Sequence, residues 1–69
     1  TDPLITRLIC GLGESNSVSR KNAAGALRLH GRRAVPAIPA LMRLVSSEAD
    51  PHVQAEARRA LQRLQRWVA

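Results

Sequence analysis

Part of this chain returns 34 positions later. Ala23 falls on Ala57, Ala26-Leu27 on Ala60-Leu61, His30 on Leu64 and Asn16 on Asp50. An offset of 33 aligns two other segments: Ile5 with Ile38, Leu8 with Leu41, Ile9 with Met42 and Leu12 with Val45, apolar in every pair. The one-residue difference fits inside an inter-helix turn. A period near 34 built from two helices marks a solenoid, in which a unit cannot bury its apolar face alone and stacking completes the core.

The local signals agree. Asp2-Pro3 and Asp50-Pro51 each pair an N-cap with a proline that has no N–H to lose. The first helix carries Leu4, Ile5, Leu8, Ile9 and Leu12 on one broad stripe and ends at Gly11 and Gly13. In the second, Ala23, Ala26, Leu27 and His30 share a face, and Gly31 is the stop. The third has the stripe Ile38, Leu41, Met42 and Val45. Pro36 and Pro39 are tolerable only in its first turn, which sets the start near Val35 or Pro36. The fourth runs through Val53, Ala57, Ala60, Leu61 and Leu64. The expected fold is all-α, with four helices over 3–12, 18–30, 35–46 and 51–67.

Sixty-nine residues make one small domain over 1–69, with little core to spare. A single cysteine forbids an internal disulfide and suits a reducing, cytoplasmic setting. Trp67 is the only aromatic, so the core is aliphatic and base stacking is nearly excluded. No run of about 18 apolar residues exists to span a membrane. With no initiator methionine and no signal-peptide pattern, the chain reads as an excerpt or a processed piece.

The segment NAAGALRLHGRRAVPAIPAL, with Ala23, Ala24, Ala26, Leu27, Gly31, Ala34, Val35, Pro36, Ala37 and Ile38 at the patterned positions, resembles a HEAT repeat. The likeness is to the short type found in phycobilisome-lyase-like and related bacterial proteins. DPHVQAEARRALQRL is similar to the opening of the next unit. Departures are Val18, one residue early relative to Val53; His30 in place of an aliphatic; and Gln54 in place of an arginine that Arg20 keeps. The resemblance implies a two-layer α-solenoid fragment of about two hairpins. It also implies that the second helix of each pair lines a concave groove, into which Arg7 and Arg43 look. The order is second helix, full pair, first helix. The two ends are therefore expected to be apolar and open to a longer array, a second copy or another chain.

No catalytic, cofactor-binding or metal-binding residue is expected, and the chain reads as no enzyme. Asp2 and Asp50 are explained by capping, and Glu14, Glu48 and Glu56 share no motif spacing. His30 reads as a partly buried helix-end histidine and His52 as an exposed first-turn residue. Cys10 falls on Arg43 under the 33-residue offset, faces away from the stripe and reads as an inert thiol. Gly11 and Gly13 follow no strand and make no nucleotide loop.

The charge is more informative. Eleven basic residues against five acidic give +6, and residues 15–47 hold no acid at all. Candidate partner-binding residues are Arg7 and Arg43 in the implied groove, Arg32 and Arg33 in the link, and Arg59, Arg63 and Arg66. The last three form one row at i, i+4 and i+7 on the fourth helix. They suit an acidic protein partner, in a non-catalytic scaffold or interaction module. Phosphate-backbone binding to nucleic acid is the alternative, and a regulatory or chromophore-lyase-associated subunit is a third, by family analogy. A surface that only solubilises the chain would carry the same charges. A helix-turn-helix DNA reader is disfavoured, because Pro36 and Pro39 stand where base contacts would begin. A membrane-surface helix over 53–68 has too thin an apolar face.

Overall fold

The computed structural model describes residues 2–68. Its elements are α1 (Pro3–Gly11), α2 (Ser17–His30), a 3-10 segment (Gly31–Ala37), α3 (Ile38–Ser47) and α4 (Pro51–Gln65). The described residues are helical with no strand, as the periodicity requires. The expected four separate helices are replaced by three uninterrupted helical runs, because residues 17–47 contain no coil residue.

That continuity corrects the expected start of the third helix. Pro36 and Pro39 cannot share the first turn of one α-helix together with Val35. The chain instead turns through the 3-10 segment, which contains Pro36, and begins α3 at Ile38 with Pro39 in its first turn. Arg32 and Arg33 thus stand on a helical corner, not on a loop. Gly31 makes the corner: it caps α2 at φ 59°, ψ −129°, a backbone that a side chain strains.

The 3-10 period of three brings Ala34 and Ala37 onto one line, and both are fully buried. The line continues into α3 through Leu41 and Leu44, while Met42, expected in the stripe, is 53% exposed. The rest of the core is Ile5, Leu12, Ala23, Ala24, Leu27, Val53, Ala57, Ala60 and Leu64, with Leu8 and Leu61 packed on it and partly buried. Small residues let the helices close up: a Cβ built on Gly11 would lie 3.0 Å from the Cβ of Ala23. The 3-10 segment touches all four α-helices, α2 packs on both α1 and α4, and α3 packs on α4. The radius of gyration is 10.5 Å, against about 11 Å for a well-packed chain of this length.

Polar side chains set the order of the ends. Asn16 Oδ1 accepts from the N–H groups of Val18 (2.8 Å) and Ser19 (3.3 Å). Asp50 Oδ1 accepts from those of His52 (2.8 Å) and Val53 (3.4 Å). These two caps are the residues the 34-residue offset superposes. Two ion pairs then join α2 to the α4 side at one constant separation: Arg20 Nε to Glu48 at 2.7 Å and Arg28 Nε to Glu56 at 3.0 Å. Both span 28 residues, so α2 and α4 run parallel. Glu48 and Glu56 therefore do share a spacing, eight residues, matched by Arg20 and Arg28.

Leu4 is 40% exposed on α1, and Trp67 and Val68, just past α4, are 49% and 52% exposed. The exposed positions of α4 are Pro51, His52, Ala55, Arg58, Arg59, Gln62, Arg63 and Gln65.

Candidate functional site

The arginines divide by what already holds them. Arg20 is fully engaged: Nε and Nη2 grip the two oxygens of Glu48 (2.7 and 3.0 Å), and Nη1 donates to the carbonyls of Glu14 (2.8 Å) and Ser15 (2.9 Å). Glu48 also accepts from the Asp50 N–H at 2.9 Å, and its side chain is 4% exposed. Arg20 therefore ties the α1–α2 turn to the α3–α4 turn. The hydrogen bond to Arg20, then that from the Asp50 N–H, holds the Glu48 carboxyl below its ordinary value of 4.5, while the same pairing raises Arg20.

Arg33 is likewise occupied. Its Nε donates to Asp2 Oδ2 at 3.1 Å, and Nη2 bonds the same oxygen. The other oxygen of Asp2 caps α1 at the Leu4 N–H, 3.0 Å away. The Arg33 hydrogen bond holds the Asp2 carboxyl below its ordinary 3.8, and the N–H groups of His52 and Val53 do the same for Asp50. The Arg32 guanidinium lies 5.0 Å from the centre of the Trp67 ring, a cation–π contact. Both link arginines thus fasten the corner to the chain's two ends.

The row on α4 is different. Arg59, Arg63 and Arg66, with Arg28 and Gln62, line one open cleft of about 250 Å³ between α2 and α4. Glu56 is the nearest carboxylate. It accepts from Arg28 at 3.0 Å and stands 3.8 Å from Arg59 Nη1, with its side chain 12% exposed. Arg63 and Arg66 form no ion pair among the described residues. The cleft therefore holds four guanidinium groups against one largely covered carboxylate, a field that draws anions.

Arg28 is not among the candidates that helical spacing in the sequence picks out. The signal that finds it is the matched eight-residue spacing of Arg20/Arg28 and Glu48/Glu56, which is legible only once α2 and α4 are taken as parallel neighbours. Arg43 lines a separate shallow cleft with Ile9, Leu12, Ala40 and Leu44, between α1 and α3. Arg7 is exposed on α1 and lines none of these four clefts.

Cys10 is exposed, as its alignment with Arg43 requires. No group of three His, Cys, Asp or Glu among the described residues could hold a metal ion. No helix among the described residues is long and apolar enough to cross a membrane. Compared with known proteins, the chain matches no family model, no curated protein and no solved structure.

Proposed function

We propose that this chain is a non-catalytic, HEAT-like interaction module that binds an acidic protein segment along the arginine cleft between α2 and α4. The observation that carries the proposal is the convergence of Arg28, Arg59, Arg63 and Arg66 on one cleft whose nearest carboxylate is already held by Arg28. Glu56 supplies an internal precedent, since its carboxylate fits between two of these arginines. The solenoid part of the reading is supported by the equivalent caps at Asn16 and Asp50 and by the parallel course of α2 and α4.

A carboxylate partner suits the cleft better than a phosphodiester strand. The one indole has Arg32 over one face and is 49% exposed, and a single aromatic gives no platform for successive bases.

The test is fluorescence anisotropy of a labelled oligoglutamate peptide at about 50 mM salt, with labelled duplex DNA as competitor. Binding that Arg59→Glu/Arg63→Glu/Arg66→Glu weakens by about two orders of magnitude, and that added salt reverses, is the expected result. Unchanged affinity in that variant, or preference for the duplex, overturns the proposal.

A further inference from the structure

The arginine cleft does not end at Arg28. Beside that residue lies a second hollow, of about 360 Å³, on the surface of α2 where Glu56 of α4 meets it, lined also by Lys21, Asn22, Gly25, Ala26 and Leu29. It is mixed in character, with an apolar part made by Gly25, Ala26 and Leu29 beside the charged Lys21, Arg28 and Glu56. Leu29 is 78% exposed, more than any other large hydrophobic described, in a chain with few aliphatics to spare. Gly25 removes a side chain from the floor: a Cβ there would meet only the Glu56 side chain, at 3.6 Å from Oε1 and 3.9 Å from Cγ. Arg28 borders both hollows. Its Nε is held by Glu56, and its terminal nitrogens make no hydrogen bond to the described residues.

We infer that the cleft and this hollow together take an amphipathic acidic segment of a partner protein, with carboxylates on Arg63 and Arg66 and an aliphatic side chain seated over Gly25 against Leu29. This rests on the acidic-partner reading above and narrows it. A row of guanidinium groups alone accepts any polyanion. The adjoining hollow adds an apolar contact that an all-acidic segment or a sugar–phosphate backbone cannot fill.

Two blocked oligoglutamate peptides of equal charge test this, one with a central leucine and one with a central serine. The leucine peptide binds the wild-type chain about tenfold more tightly, the factor expected for removing one aliphatic side chain from water. Leu29→Ser abolishes that difference and leaves the affinity for the serine peptide unchanged. Gly25→Ala weakens the leucine peptide while raising the thermal midpoint, because alanine is the better helix former, so lost folding cannot explain the weaker binding. Equal affinity of the two peptides for wild type overturns the inference and leaves the acidic-partner reading intact. If neither peptide binds wild type better than the Arg59→Glu/Arg63→Glu/Arg66→Glu variant, both fall. A single-stranded oligonucleotide that binds wild type more tightly than either peptide also overturns both.

Discussion

Arg20 and Arg63 are the same residue type in parallel neighbouring helices, yet they have opposite situations. Arg20 donates four hydrogen bonds and joins two inter-helix turns. Arg63 borders an open cleft and has no ion pair among the described residues. Arg32 and Arg33 belong with Arg20, since each is held by a group at one end of the chain, Trp67 and Asp2. The lesson is that net charge does not measure binding capacity. Of the seven arginines the sequence nominates, the corner pair and Arg59 already have partners, while Arg7, Arg43, Arg63 and Arg66 have none among the described residues; of these four, Arg63 and Arg66 share one cleft.

Substitutions can break this contrast, and the largest effect is expected at Arg20. Arg20→Ala leaves Glu48 with a nearly covered carboxylate and no counter-ion, and it frees two turn carbonyls. The thermal midpoint, followed by circular dichroism, falls by roughly ten degrees. A drop no larger than that of Arg63→Ala would erase the distinction between the two residues.

Gly31→Ala comes next. The corner backbone lies at φ 59°, where an added Cβ strains the chain, and that Cβ would also stand 3.6 Å from the indole Nε1 of Trp67. The expected loss is about 1–3 kcal/mol in chemical denaturation. A change in Trp67 fluorescence accompanies it as Arg32 shifts on the ring.

Acid sharpens the comparison further. Asp2, Glu48 and Asp50 all have carboxyls held below their ordinary values in the folded chain. Their contribution is therefore complete above the unfolded values of 4.5 and 3.8 and is lost as pH falls below them. Thermal midpoints stay level from neutrality to about pH 4.5 and then decline. In Arg20→Ala the decline is shallower, because Glu48 has lost the hydrogen bond that lowers it most. The smallest effect belongs to the free row: Arg63→Ala and Arg66→Ala each change stability by less than about 0.5 kcal/mol.

Much of the fold was open to sequence reasoning where the cause is local. Asp2-Pro3 and Asp50-Pro51 start helices because a carboxylate caps the N–H groups two or three residues on, whatever surrounds it. Leu27, Leu41, Val53, Ala57 and Leu64 were found by periodicity, since one apolar stripe must face inward. Met42 was misassigned and Leu44 overlooked. The 3-10 corner directs the buried line through Ala34 and Ala37, and a reading that begins the α-period at Val35 points α3 along a different line. At the candidate site, the row Arg59, Arg63 and Arg66 was legible from helical spacing, whereas Arg28 was not.

By itself, then, the sequence determined the helical class, the near-34-residue repeat, the caps and an excess of positive charge, because each depends on residues within a few turns of one another. The tertiary structure alone decided which arginines that charge leaves free. Pairing across 28 residues depends on α2 and α4 lying parallel at contact distance. No local rule states that distance; it follows from alanines and glycines letting the helices close until Glu48 and Glu56 reach Arg20 and Arg28 and leave Arg63 and Arg66 without such partners.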